Sequence, residues 1–227
     1  MYTPIKMKRA TKYGNNYWSG LSFKMNRKVE FFSDLEYEHW LLVECDPTVK
    51  KFCEQPLKVE YILNNKIRHS IPDMWILYTD NSEKMIEVKY TSSLIPSHPK
   101  YEETMQQITI QQEWCKSNGL KHEVKTEKSI RENRILLDNY RKMVPFIRHH
   151  SDFLNSTNKL VFNELSKYSK LKLQDILNTF LHVNPNQIYI SVIYLIYIGV
   201  IYSDLHINPL NKNTEVWIYD QKKIKQL

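Results

Sequence analysis

Hydrophobic and polar positions change their period several times along the chain, and each change marks an element. From Ile71 to Thr91 the sequence reads IPDMWILYTDNSEKMIEVKYT. MWILYT and MIEVKYT are apolar and β-prone, and DNSEK between them supplies turn residues, which predicts a β-hairpin. Period-two alternation puts Glu87 and Lys89 on one face of the second strand and turns Val88 toward the core. Asp73 begins the first strand. Upstream, Ser33-Asp34-Leu35-Glu36 opens a helix that Asp46-Pro47 closes. Downstream, Ser92 to Pro99 is a Ser/Pro loop, and Tyr101 to Asn118 has the pattern of a helix ended by Gly119. Leu120 to Thr126 is a strand, and Lys128 to Val144 a second helix with capping-box spacing from Ser129 to Glu132. This order predicts an α/β fold with a central mixed sheet flanked by helices.

From about His150 the pattern changes. NKLVFNELSKY and LKLQDILNTF predict two short amphipathic helices, NPNQIYISVIYLIYIGVIY a third, and SDLHINPLNKNTEVWIYD a hairpin. Three helices followed by a hairpin describe a small winged-helix-like domain at residues 150–227, after a catalytic domain at 1–149. No Lys or Arg lies between Lys172 and Lys212. The third helix therefore brings no positive charge to a DNA groove, and its Tyr and Ile content suits packing against protein. The wing residues Lys212 and Asn213 and the tail Lys222, Lys223 and Lys225 can still touch DNA. The fifteen residues Ile188 to Tyr202 are too short to span a bilayer and predict a buried helix running into a strand.

Composition bounds the remainder. The chain has 227 residues and a formal charge of +7, which favours a polyanionic partner. Cys45, Cys53 and Cys115 form no CxxC pair and are odd in number, so neither a disulfide framework nor a structural zinc is expected, and a reducing, cytoplasmic compartment fits. The N-terminus has basic residues and no apolar segment of the kind a signal peptide carries. Lys6, Lys8, Arg9 and Lys12 are interleaved there with Tyr13, Tyr17 and Trp18. This pattern suits an arm along DNA phosphates and equally a loosely docked terminus. With Lys24, Arg27 and Lys28 these basic residues make up the candidate DNA contacts.

Two carboxylates with an amine in reach, Asp73 and Glu87 with Lys89, suit a site that holds Mg²⁺ and positions a water for phosphodiester hydrolysis. Taken alone, an E-V-K on a strand edge is more often a solvated alternation than a catalytic triplet. Glu36 has two readings. It is the N3 partner of Ser33 in a capping box, or it is a further acid beside Asp73 and Glu87.

The order SDLE, helix, V-K-K-F-x-E-Q-P, strand, P-D and E-V-K resembles TnsA, the endonuclease subunit of heteromeric cut-and-paste transposases in the PD-(D/E)xK nuclease superfamily. The resemblance covers roughly residues 20 to 142. It implies a restriction-endonuclease-like fold in which Glu36, Asp73 and Glu87, with the backbone carbonyl of Val88, surround one or two Mg²⁺ ions, Mn²⁺ substituting. Lys89 would orient or activate the water and help neutralise charge on the phosphate. By the same resemblance the partners are double-stranded DNA, a DDE-type transposase that cuts and joins the other strand, and an ATP-dependent regulator, all in a prokaryotic cytoplasm with no membrane. Two alternatives stay open: a stand-alone restriction or repair nuclease, and an assembly subunit whose carboxylates are structural.

Overall fold

The computed structural model describes residues 2–6, 16–63, 65–150 and 154–218. Lys8, Arg9, Lys12 and Tyr13, and the tail lysines 222, 223 and 225, lie outside them. The chain divides into two compact units, one of residues 1–44 and 48–132 and one of residues 45–47 and 133–227. This packing-based division falls at 132/133, whereas the change of pattern along the sequence lies near 150.

The first unit opens with a hairpin of β1 (Trp18–Ser22) and β2 (Arg27–Phe31), followed by α1 (Asp34–Cys45). Buried Glu44 fastens the hairpin turn: its carboxylate accepts from Ser22 Oγ at 2.7 Å and from the backbone N–H groups of Phe23 and Lys24, each at 3.0 Å. These bonds satisfy donors that the turn leaves unpaired. The close approach of hairpin and helix leaves no room at Gly20, where a Cβ would lie 2.8 Å from the Trp40 ring.

The central sheet is mixed, with strand order β3 (Val49–Glu54), β6 (Met74–Tyr78), β7 (Glu83–Val88) and β8 (Lys121–Lys125). β3, β6 and β7 pair antiparallel, and β6 and β7 form the expected hairpin. β8 is parallel to β7, so the chain needs a crossover, and α2 (Tyr101–Ser117) provides it after a 3₁₀ turn at Thr91–Leu94. Gly119, at φ +68°, lets the chain leave α2 as expected. Between β3 and β6 lies a separate two-stranded ribbon of β4 (Val59–Leu63) and β5 (Lys66–Ser70), which α2 also contacts. Cys53, Trp75, Met85 and Cys115 form one buried cluster of this unit, and burial pushes the thiols of Cys53 and Cys115 up to about 12 and about 11.

The helix expected over Lys128 to Val144 is two helices, α3 (Glu127–Ile130) and α4 (Arg134–Ile147). Thr126, not Ser129, is the N-cap of the first, and its box partner is Ser129. Asn133 restarts the chain by accepting from Leu136 N at 2.9 Å. Two caps thus split one apolar periodicity.

In the second unit α4 is followed by α5 (Asn155–Leu165), β9 (Leu171–Lys172), α6 (Leu173–Thr179), α7 (Pro185–Tyr197), β10 (Tyr202–Ser203) and β11 (Glu215–Trp217), the strands pairing in the order β10-β11-β9. α7 serves two clusters at once. Ile188, Val192 and Leu195 pack with Val161, Leu165 and Ile176, while Ile193 and Tyr197 pack with Met143, Ile147 and Leu205. Its apolar residues are thereby largely used within the unit. His150 is buried against Tyr194, ring centroids 3.4 Å apart, with its Nε2 2.9 Å from Asn158 Nδ2. Among the described residues no helix is long and apolar enough to cross a membrane.

Candidate active site

Strand register builds the site. Met74 faces Ile86 across β6 and β7, so one step further Asp73 lies across from Glu87, and directly opposed residues share a face. Trp75 and Met85 continue that face inward, where α2 covers it through Cys115. Asp73 Oδ2 accepts from Val88 N at 2.7 Å, locking the two strands at the site. Glu87 is 2% exposed, which rules out solvated alternation. Its Oε1 pairs with Lys89 Nζ at 2.5 Å, and its Oε2 accepts from Gln111 Nε2 at 2.7 Å.

Glu36 arrives from the first turn of α1, where it forms the cap expected with Ser33. Ser33 Oγ accepts from Glu36 N at 3.1 Å, while the Glu36 carboxylate accepts from Ser33 Oγ at 2.9 Å and Phe32 N at 3.1 Å. The same carboxylate also feels Glu87 and Lys89. Gln55, held at φ +38° and anchored by its N–H to the Asp73 carbonyl at 3.0 Å, points its amide at Glu36 at 3.5 Å.

The electrostatics follow from three acids sharing one amine. Burial and then repulsion by Glu87 and Glu36 hold Asp73 well above the ordinary carboxylate range. Burial, with a contribution from Glu87, raises Glu36 also. For Lys89 burial opposes the charge, but Glu87, Asp73 and Glu36 outweigh it and raise the pKa, so the ammonium persists at neutral pH.

A cleft of about 530 Å³ opens over Glu36, Val88 and Lys89, with Ser93, His98 and Lys100 on its other walls. Hydroxyls and cations around an acidic floor suit a phosphodiester approaching carboxylates. The donor set fits a hard divalent cation, since all three acids offer oxygen, and Asp73 and Glu36 are raised by burial and then by neighbouring carboxylates whose repulsion such an ion relieves. Among the described residues no three His, Cys, Asp or Glu side chains are arranged to hold an ion as they stand. Each carboxylate is instead turned to a protein donor: Asp73 to Val88 N, Glu87 to Lys89 and Gln111, and Glu36 to its cap.

Gln111, His122 and Ser70 had no signature in the sequence. Gln111 is fully buried; its Nε2 also reaches Ser70 Oγ at 2.9 Å, and its Oε1 lies 2.8 Å from His122 Nε2. A lone Gln in a helix, 24 residues from its partner acid, is found only through the fold. If Glu87 holds a metal for cleavage, as proposed below, Gln111→Leu is expected to lower cleavage about 10- to 100-fold, the usual effect of losing a group that orients a metal-binding carboxylate. A nicking assay beside a circular-dichroism melt checks this, and wild-type rates would show that Glu87 needs no such support.

The other candidate DNA contacts have intramolecular partners. Arg27 makes a bidentate pair with buried Glu54 at 2.5 and 2.6 Å, Lys24 Nζ donates to the Val49 carbonyl at 2.8 Å, and Lys28 pairs with Glu30 at 2.8 Å. Lys6 is exposed.

A mixed sheet flanked by helices carries Pro-Asp at the head of one central strand and Glu-Val-Lys at the end of its neighbour. Residues 46–127 match the family model described as TnsA-like endonuclease N terminal. The resemblance to TnsA-like endonucleases therefore holds over the segment that carries Asp73, Glu87 and Lys89; Glu36 precedes it. No curated protein matches the chain.

Proposed function

We propose that the chain is the endonuclease subunit of a DNA transposition machine, a metal-dependent enzyme that hydrolyses one strand at each transposon end while a partner transposase cuts and joins the other. The observation that carries this is the meeting of Asp73, Glu87 and Glu36 around Lys89 within electrostatic reach, two of these acids and the lysine lying in the TnsA-like segment. Asp73, Glu87, Glu36 and the Val88 carbonyl would hold Mg²⁺, which supplies a Lewis acid beside the phosphate when bound. Lys89, kept protonated by its acidic neighbours, offers hydrogen bonds to charge developing on the phosphate oxygens. Glu36 and Lys89 both line the cleft and can orient a water there. Gln111 keeps Glu87 from following Lys89 when the lysine turns to substrate.

The second unit follows a winged-helix-like order, α5, α6 and α7 with β9 and the β10–β11 hairpin. Since α7 contains no Lys or Arg and spends its apolar residues on its own core, this unit serves mainly to dock transposition partners through other surfaces. Leu181 and Ile207, 85% and 60% exposed, are candidates for that contact.

The test supplies transposon-end duplex, Mg²⁺ and the partner transposase, and expects one nick per end on one strand, with little cutting by the chain alone. Efficient digestion of any duplex by the isolated chain would assign it instead to stand-alone restriction or repair nucleases.

A further inference from the structure

The β4–β5 ribbon carries chemistry that the site does not use. Its base is anchored, with Val59 and Ser70 buried and α2 packed on both strands. Lys66, Ile67, Arg68 and His69 are all exposed, and so are Glu60 and Ile62 on the partner strand. The register sets Ile62 opposite Ile67 on one face, 66% and 71% exposed, and Arg68 opposite Tyr61 and Lys66 opposite Leu63 on the other. Glu60 is the only acid on the two strands, and Lys58 already pairs with it at 3.3 Å. Neither Lys66 nor Arg68 forms an ion pair among the described residues. Two isoleucines facing water across a two-stranded ribbon contribute little to its own stability.

Position adds the second argument. Only Ile71 and Pro72 separate β5 from Asp73, and Ser70 at its base shares the Gln111 amide with Glu87. Four strand residues at about 3.3 Å each put Lys66 roughly 13 Å from Ser70. That is well within one helical turn, about 34 Å, of a duplex whose phosphate lies at the site.

We propose that this ribbon is a DNA arm: Lys66 and Arg68 contact phosphates flanking the cleaved bond, and Ile62 and Ile67 form an apolar wedge that enters the minor groove of the same duplex. The inference rests on the nuclease reading above. A two-stranded ribbon fits a duplex groove with one face inward and basic residues of the other face free to reach flanking phosphates, and inserted apolar side chains are the means by which proteins unstack a minor-groove step. With the lone acid neutralised, the ribbon's charge selects a polyanion over a protein surface.

The experiment is fluorescence anisotropy of a short labelled duplex, titrated with the full chain in EDTA at several salt concentrations. Lys66→Ala/Arg68→Ala is expected to weaken binding at least tenfold and to reduce the slope of log K against log salt by about 2. Ile62→Ser/Ile67→Ser is expected to weaken binding about fivefold with the slope unchanged, because no phosphate contact is lost. Circular-dichroism melts certify that both variants fold. If both bind as wild type does, the ribbon inference falls while the nuclease reading stands. If the isoleucine variant changes only the oligomeric mass, the face belongs to a protein partner and the inference is overturned. If the ribbon variants lose binding but no nick is ever made with transposase and Mg²⁺, the nuclease reading falls and the arm remains. A wild-type chain that binds no duplex overturns the arm, while the nuclease reading is decided by the nicking test with transposase and Mg²⁺.

Discussion

Asp73→Ala is expected to abolish strand cleavage while leaving the metal-free protein about as stable as wild type, or more stable, above neutral pH. Burial, Glu87 and Glu36 raise the pKa of Asp73, so the folded protein holds this proton more tightly than the unfolded chain does. Stability from such a group is complete below about pH 4, where both states are protonated, and is lost as pH rises through the folded value. The alanine variant escapes that loss. Against this it forfeits the 2.7 Å bond to Val88 N, a cost of about 1–3 kcal/mol for a buried donor left unpaired. Urea denaturation in EDTA at pH 4 and pH 8 measures both terms: the wild type should weaken more than the variant between the two. Mg²⁺ gives an independent readout, since saturation at 100 times its Kd stabilises the wild type by about 2.7 kcal/mol and should leave the variant unmoved. A variant that unfolds at pH 8, or that still nicks DNA, would make Asp73 structural.

Lys89→Ala should do the reverse, losing both activity and stability. It leaves Glu87 buried without its counter-ion, a situation that costs roughly 3–5 kcal/mol when one partner of a buried pair is removed. Since folding raises the lysine's pKa, its contribution is complete below the unfolded value near 10.4 and fades only as pH rises through the folded one. The defect in stability is therefore constant across the neutral range. Adding Glu87→Gln to the variant should recover most of the denaturation midpoint, because the stranded charge is gone, yet restore no cleavage. Recovery of cleavage in the double variant would remove Lys89 from the chemistry.

Local pattern carried the parts of this architecture that depend on few residues. The β6–β7 hairpin was legible because period two and a polar turn specify it, and with it the shared face of Glu87 and Lys89; that Asp73 joins them follows from the register. The cap that Glu36 makes with Ser33 was legible in their spacing. What stayed hidden depends on distant neighbours. Gln111 reaches Glu87 only because β7 and β8 are parallel and α2 must cross over them. Between Gln-Pro and Pro-Asp the pattern reads as one strand, and the second strand of the β4–β5 ribbon emerges only with its cross-strand register. Arg27 looks like a free cation until buried Glu54 is placed beside it. The break between α3 and α4 depends on a second cap at Asn133, which the shared apolar periodicity does not reveal.

The buried thiols give this fold an internal clock. Cys53 lies on β3 and Cys115 on α2, and both are almost closed to solvent and held as neutral thiols. Thiolate is the reactive form, so an alkylating reagent meets them only when strand and crossover helix part. Their labelling rate therefore reports opening of the very sheet that aligns Asp73 with Glu87, with no probe introduced, and a bound cation that braces the two strands would slow it.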